Sequence, residues 1–516
     1  MALGWCRNCN VPILDARPCG ICGEDSYVIR SREVKPIFSL EKRRIEKLLI
    51  KNGSKTSIPF NTYSFIDLLG FVIVDGFKIF RVNFSEKTKK WEVKETKAFK
   101  NQEGRLQGSD FSTIIKANKY ILQEKEEEAI SFIENITFKH PELPLAISFS
   151  GGKDSTVALH LAKQVKNHVD VIFLDTTIEL PETVHFVRTI AELWNLNLIS
   201  VKPDHDFLEL CRVIGPPSRF MKWCCKTQKF SPMNKLLHEK YADGVIMIRG
   251  VRASESNNRS NYKRTGRLKW TPKEVIVNPI LYWSSLDSWI YIFWKKIPFN
   301  YAYEYGFTRL GCWACPSKSL KDFAILGEFH SELTEKLRLI LKEYAVKHNL
   351  GDNWIDSGAW RIRKSRVNKI PVRQSKLCGG DKSQNIVFSL DNQERVQTLL
   401  EFFKVFGPVK KRGPAFMVNS KEIEALFLRN KIHLKIKNEW LNGLLLSYVE
   451  KALNCIGCGA CQFVCDNGAI VQVNGKRIIN QDKCTNCLKC ISFTCIALKY
   501  GSNRFSLAET FKESLM

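Results

Sequence analysis

Apolar residues along this chain change period several times, and the changes mark its elements. At Leu145-Ala-Ile-Ser-Phe149 a short apolar run ends at two glycines, and a helix-periodic stretch (Val157, Leu159, Leu161, Ala162, Val165) begins at once. That order predicts strand, tight loop and helix. Further buried strands are expected at residues 169–175, 196–201 and 244–250, and Pro181 suits the first turn of an intervening helix. Strands alternating with helices predict an α/β class with a doubly wound parallel sheet, which takes ligands at the strands' carboxyl ends. Before this region, residues 71–82 and 90–96 alternate apolar and polar, with Asp75-Gly76 as a hairpin signal, so 31–105 reads as a small β-rich unit. Residues 104–110 read as a linker, and the charged stretch Glu124–Glu128 belongs to a helix leading into the α/β region. Residues 381–453 combine a strand (386–390), an amphipathic helix (396–406) and a basic turn (407–414), a small α+β connector. The aromatic stretch 280–294 is broken by Ser284, Ser285 and Asp287, so it predicts a strand end plus helix. No apolar run reaches the ~18–20 residues of a membrane span.

The loop after the first strand carries the clearest chemistry. Gly151 and Gly152 let backbone N–H groups close around an anion, and the following helix points its positive end at the same place. Lys153 is expected to add a mobile charge, and Ser148, Ser150, Ser155 and Thr156 to add hydroxyls. Asp154 could act through a metal ion or by orienting the loop. Asp175 and Arg249 stand where the next strands end. The loop is not a Walker A motif, because no Gly-Lys-Ser/Thr follows a first glycine at the right distance. It resembles the PP-loop of the adenine-nucleotide hydrolase superfamily, which implies an adenine nucleotide (ATP, APS or PAPS) as ligand. An ordinary glycine turn is the bland alternative.

Charge and cysteine content add partners and metals. Among 516 residues, 79 basic and 53 acidic side chains leave +26, which favours polyanionic partners, nucleotides first and RNA second, with a general lysine bias on solvated faces as the bland alternative. The β-rich unit 31–105 faintly resembles a PUA-like RNA-binding module, and a spacer that packs on the main domain is its equal alternative. Eighteen cysteines, mostly in Cys-x-x-Cys units behind an N-terminus without an export signal, point to metals rather than disulfides, and to a cytoplasmic protein with no membrane partner. Cys6, Cys9, Cys19 and Cys22 within residues 1–30 resemble a zinc ribbon, with one structural zinc expected and a redox dithiol as the lesser alternative.

Near the other end, Cys455-x-x-Cys458-x-x-Cys461-x-x-x-Cys465 precedes Cys484-x-x-Cys487-x-x-Cys490-x-x-x-x-Cys495. Residues 454–501 thus resemble a two-cluster ferredoxin. The resemblance implies that Cys455, Cys458, Cys461 and Cys495 hold one [4Fe–4S] cluster, and Cys484, Cys487, Cys490 and Cys465 the other. Asp466 and Ile496 replace the usual prolines, and the second run is one residue longer before Cys495. Zinc binding is the alternative.

Within residues 111–380, Cys224-Cys225 and Cys312-x-x-Cys315 form a second constellation. Adjacent cysteines are expected to diverge and so to suit different irons of a cluster better than one zinc. Trp223-Cys-Cys-Lys-Thr-Gln-Lys-Phe-Ser-Pro232, Gly311-Cys-Trp-Ala-Cys315, Pro181-Glu-Thr183, Gly250-Val-Arg-Ala-Ser-Glu-Ser256 with Arg259, Asn278–Trp283 and Ile297–Tyr301 together resemble the phosphoadenylyl-sulfate (PAPS)/adenylyl-sulfate reductase family over roughly residues 140–320. That resemblance implies a third [4Fe–4S] cluster on Cys224, Cys225, Cys312 and Cys315, with Lys229 near it. Arg249, Arg252 and Arg259 suit sulfate or phosphate oxygens, with pairing to Glu255 and its neighbours as the alternative. Gln228 stands where the family has an arginine, and Thr177 where it has a glycine. Cys211 reads as core, and Cys378 in Lys376-Leu-Cys-Gly-Gly380 is a weak match to the family's nucleophilic tail. The leading expectation is reduction of an adenylyl sulfate to sulfite, with electrons entering the ferredoxin-like segment from a donor. The intact Ser150-Gly-Gly-Lys-Asp-Ser155 loop keeps open an ATP-dependent RNA sulfurtransferase, and a non-catalytic RNA- or partner-binding electron carrier is the third reading.

Overall fold

Four of the apolar runs become consecutive neighbours in a six-stranded sheet of the order Asn197–Val201, Asp170–Leu174, Leu145–Ser148, Val245–Arg249, Thr271–Val277, Thr265–Leu268. The computed structural model describes residues 2–31, 33–53, 64–100, 106–268, 271–364, 384–390, 393–429, 431–441, 443–473 and 476–493. The chain divides into two units: Met1–Val201, Asp243–Leu268 and Lys273–Arg338 form one, and Lys202–Ala242, Lys269–Pro272 and Leu339–Met516 the other.

In the first unit the Leu145–Ser148 strand runs parallel to both neighbours, with Ile147 opposite Val171 on one side and Ile248 on the other. These strands are buried on both faces, as near-continuous apolar runs in a parallel sheet should be. Each such Val or Ile contributes about 1.5–3 kcal/mol by leaving water. The helices Phe111–Lys139, Lys153–Val165 and Ser285–Trp294 pack on one another. Their starts are specified locally. Asp110 accepts from the backbone N–H groups of Ser112 and Thr113, and Ser284 and Asp287 form a reciprocal capping box. Two strands, Thr265–Leu268 and Thr271–Val277, extend the sheet beyond Val245–Arg249 and were not among those expected from the sequence.

The N-terminal segment is a three-stranded antiparallel sheet, Val11–Ile13, Leu3–Cys6, Tyr27–Ile29. Its Trp5, Val11, Ile13 and Leu14 share the main core with Ile114, Ala117 and Ile121. Buried Asn118 ties the two together, donating to Pro12 O and accepting from Leu14 N–H, each at 2.8 Å. The expected β-rich unit is a five-stranded antiparallel meander, Lys35–Pro36, Phe65–Ile66, Phe71–Val74, Phe77–Phe84, Trp91–Glu95, with its own core. Asp75 and Gly76 both take positive φ (50° and 79°), the backbone of a tight hairpin, so the single run 71–82 is two strands and a turn. The Asp75 carboxylate then accepts from the N–H groups of Gln107 and Gly108 in the expected linker.

In the second unit, five antiparallel strands in the order Gln384–Ser389, Lys431–Ile436, Ile423–Leu428, Ala415–Asn419, Lys410–Arg412 carry the helices Gln393–Phe403 and Leu444–Leu453. The basic turn expected at 407–414 includes the edge strand of this sheet. Its core residues Leu399, Phe403, Leu434 and Tyr448 continue into Ile470, Ile479, Leu488 and Ile491 of the cysteine-rich segment, so connector and segment share one apolar core. Among the described residues, no helix is long and apolar enough to cross a membrane.

Candidate functional site

The loop at the end of the Leu145–Ser148 strand is held from several sides. Gly151 takes φ 68°, Gly152 caps the helix, and Lys153 is its first residue. Asn300 donates to Gly151 O (3.2 Å) and to Thr183 Oγ1 (3.1 Å), while the Lys153 N–H donates to the Tyr303 hydroxyl (2.9 Å). Ser155 and Thr156 hydroxyls both donate to Gly152 O, at 2.8 and 3.0 Å. Gly250 passes so close that a Cβ there would land on the backbone of Asp154 and Ser155. Loop, helix start and the end of the Val245–Arg249 strand are therefore one packed unit at the sheet's carboxyl edge.

Four charges alternate beneath this loop. Asp154 accepts from Lys153 Nζ (2.6 Å), Arg252 Nε (2.8 Å) and Ser288 Oγ (2.8 Å), and Arg252 turns its other nitrogens to Glu33 (3.0 and 2.8 Å). Lys153 is only 2% exposed and Arg252 is fully buried. The mobile charge expected of Lys153 is thus corrected: a desolvated ammonium gains from staying against a carboxylate rather than reaching into water. Asp154 thus carries three donors. Burial and then the charge of Arg252 lower Lys153 to about 8, against the pull of Asp154. Burial by itself would raise Asp154, but Arg252 and Lys153 overcome it and hold the carboxyl well below its usual range.

The other anion-binding candidates are also paired. Arg249 meets Glu274, and Arg259 and Arg309 share Glu255. Two guanidiniums on one carboxylate leave net positive charge there, and burial followed by repulsion from Arg309 lowers Arg259 to about 10. Asp175 ends its strand and accepts from the Thr177 N–H at 3.1 Å. Thr177, where the resembled family has glycine, takes φ 62°, a conformation costly for a β-branched residue. Cys312 stands at the same edge, 3.4 Å from Glu179 Oε1 and 3.6 Å from Thr176 Oγ1, and the Trp313 N–H is bonded to Ile178 O.

The sulfur ligands expected from the sequence fall into distinct places. The Sγ atoms of Cys6, Cys9, Cys19 and Cys22 lie within 4.8 Å of one another, a set that fits one tetrahedral zinc. Burial and then the neighbouring thiols push Cys9 up to about 12, so without a cation these sulfurs oppose one another's ionisation. Cys224 and Cys225 lie in the second unit, and Cys312 and Cys315 in the first. A hydrogen bond from Cys224 is the leading cause that lowers Cys225 to about 6, ahead of Lys229 and Lys222. The pair stands on helical backbone just before the π-turn Lys226–Phe230. Burial pushes the Cys211 thiol up, in keeping with a core role. Cys378 and Cys495 lie outside the described residues.

In the C-terminal segment the sulfurs line two open cavities. One is bordered by Cys465, Cys484, Cys487 and Cys490. The other is bordered by Cys455, Cys458 and Cys461 with Lys451 and Phe493. Cys465 faces the second run, away from its own, and the donor sets fit thiolate-bound iron–sulfur clusters. The first run is fastened to the segment bearing Cys224-Cys225. His205 Nε2 meets Gly457 O (2.5 Å), Ser231 donates to Gly459 O (2.7 Å), Gln462 to Asp204 (3.3 Å), and His238 Nε2 meets Cys465 O (3.1 Å). Lys226, next to Cys225, lies 5.5 Å from the ring centre of Phe493.

Several residues here escaped the sequence reading. Glu33 is 219 positions from Arg252, and nothing local announces the pair. Ser288 left a signal, a small polar residue on an otherwise aromatic helix face. Tyr303, Arg309 and Lys451 left none.

Residues 144–318 match the model of the phosphoadenosine phosphosulfate reductase domain. An uncharacterized protein of Methanocaldococcus jannaschii is 37% identical over 257 residues, 50% of this chain and 53% of that protein. A second from the same organism is 31% identical over 48% of this chain and 60% of its own length. The chain thus spans between half and two thirds of the length of these relatives. An adenosine 5′-phosphosulfate reductase of Bacillus cereus is 26% identical over 196 residues, 37% of this chain and 82% of that enzyme. Among solved structures, the phosphoadenylyl-sulfate reductase of Candida auris in a phosphate complex has 19% identity and a TM-score of 0.30, covering 37% of this chain and 94% of that one. The central third of the chain therefore carries a phosphoadenosine phosphosulfate reductase domain of the PP-loop superfamily.

Proposed function

We propose that this chain is an iron–sulfur oxidoreductase that reduces an adenylyl sulfate, APS or PAPS, to sulfite with electrons taken in through its own C-terminal segment. The observation that carries this reading is the fastening of the first C-terminal cysteine run onto the segment bearing Cys224-Cys225, inside a chain whose central third is a reductase domain. Iron–sulfur clusters, when bound, supply one-electron transfer. Cys224, Cys225, Cys312 and Cys315 would hold one. Cys455, Cys458, Cys461 and Cys495 would hold a second, and Cys465, Cys484, Cys487 and Cys490 a third. Cys6, Cys9, Cys19 and Cys22 would hold a structural zinc.

The backbone of Ser150–Lys153 and the start of the following helix would receive the nucleotide phosphate. Ser148, Ser155, Thr156 and Asp175 would border it, and Lys153, Asp154 and Arg252 would keep the loop in shape. Arg249, Arg259 and Lys229 would favour the charge that builds on the departing oxygens. In the net reaction the S–O bond to the nucleotide breaks and its bonding pair leaves on the phosphate oxygen. The two electrons consumed end as the lone pair on sulfur, giving the desulfated nucleotide and sulfite. Cys378 is the weak candidate for a sulfur-attacking thiolate.

The intact Ser150–Ser155 loop favours a second reading, an ATP-dependent RNA sulfurtransferase with the β-rich unit 31–105 gripping RNA. One assay separates them. Protein purified without oxygen is given APS, PAPS or ATP with a low-potential donor, with and without RNA. Sulfite from APS or PAPS is the expected result. AMP formed from ATP only with RNA, and no use of either sulfonucleotide, would transfer the assignment to the sulfurtransferase.

A further inference from the structure

Arg477 is 3% exposed, yet its Nε and Nη1 have no oxygen or nitrogen acceptor among the described residues, and the guanidinium turns to the sulfur of Cys490. Nη2 donates to the Tyr448 hydroxyl at 3.2 Å, and the guanidinium lies 4.2 Å from the ring centre of Phe402. Its neighbours include Tyr448 and three cysteines that border the C-terminal cavities, Cys490 at the one and Cys455 and Cys461 at the other, and Phe402 beneath it borders the latter. A second buried cation lies beside it. Lys451, 4% exposed, borders the first-run cavity and donates to Cys490 O (2.6 Å) and Phe493 O (3.0 Å).

Burying a guanidinium costs several kcal/mol unless anions and acceptors compensate it. Neutral thiols, weak acceptors without charge, cannot do so, and two guanidinium nitrogens without an oxygen or nitrogen acceptor in a native interior require an explanation. An anionic cluster in each cavity supplies both the charge and the sulfur acceptors. Resting on the cluster reading above, we infer that Arg477 and Lys451 are a shared pair of counter-charges set between two clusters, with Arg477 donating to cluster sulfur. Each cluster gains one more negative charge on reduction, so these cations favour the reduced state and raise the reduction potential. They also weaken the repulsion that reducing one cluster imposes on the other. The pair therefore makes this segment a two-electron reservoir, matched to a reaction that consumes two electrons.

The test uses the full-length protein purified without oxygen, with iron content, melting temperature and EPR-monitored potentials measured together. Arg477→Gln should keep its iron and lower at least one C-terminal potential by a tenfold change in the one-electron equilibrium, about 59 mV. Arg477→Lys should recover most of that shift. Unchanged potentials at full iron content would overturn the inference. In wild type labelled with ¹⁵N at the arginine guanidinium, a nitrogen hyperfine coupling to a reduced cluster is expected, and its absence would overturn the donation whatever the variants do. Wild-type protein without iron at these cysteines would instead sink the cluster reading from which the inference starts.

Discussion

Replacing Asp154 by asparagine removes one charge from the alternating set Glu33, Arg252, Asp154, Lys153 while keeping its shape. Ser288 can still donate to the new side-chain oxygen, and Arg252 keeps both bonds to Glu33. Lys153 loses the carboxylate 2.6 Å away and, at 2% exposure, is shut off from solvent that could replace it. Breaking a buried pair on one side costs about 3–5 kcal/mol. The retained bonds put Asp154→Asn at the lower end, about 3 kcal/mol. Hydrogen exchange at the amides of Ser150–Thr156 reads this locally, which matters in a chain of several units. Protection there should fall by roughly two orders of magnitude, since about 1.4 kcal/mol is a factor of ten, with zinc and iron content unchanged. The double variant Lys153→Met/Asp154→Asn should regain most of the loss, because both charges are then gone. Loop protection that stays intact while nucleotide binding disappears would refute the reasoning, and would make Asp154 a ligand-contacting group.

Lys153 also predicts a pH dependence. Its folded value, about 8, lies below the ordinary 10.5, so the native state binds fewer protons between these values and stability should rise with pH across that window. The penalty for holding the lysine charged, roughly 3 kcal/mol, is fully present below about pH 8. Denaturant unfolding of Lys153→Met should lack that rise, and an identical slope in both proteins would count against the burial argument. Thr177→Gly should leave stability unchanged or raise it by up to about 1 kcal/mol, because relief of the positive φ outweighs the added chain entropy. A loss above about 1 kcal/mol in the same titration would mean that the threonine side chain holds the loop. Anaerobic protein should carry about twelve irons and one zinc per chain, and Cys224→Ser/Cys225→Ser should remove about four irons and leave the zinc, by elemental analysis. Unchanged iron would exclude a cluster on that pair. Cys378→Ser should keep most sulfonucleotide reduction, and a collapse in the rate of sulfite release would make this thiol the nucleophile.

Local sequence determined the elements and the chemistry that depends on near neighbours. The run Leu145–Phe149 followed by Gly151-Gly152 could form little but strand, loop and helix, since two periods and a glycine pair agree. Asp75-Gly76 determined its hairpin because both residues tolerate positive φ. Cysteine spacing separated the N-terminal knuckles from the C-terminal runs, because ligand reach is a local property. Tertiary structure decided what depends on distant charge and shared burial. Only folding sets Glu33 against Arg252 and Ser288 against Asp154, and that turns Lys153 from a mobile charge into a buried one. Only folding joins the connector and the cysteine-rich segment in one apolar core, although the segment reads as a unit with a metal-organised core of its own. Arg477 shows the limit most plainly. In sequence it is one basic residue in a short polar-flanked strand, and its burial against Tyr448 and Phe402 follows from long-range packing that no local period encodes.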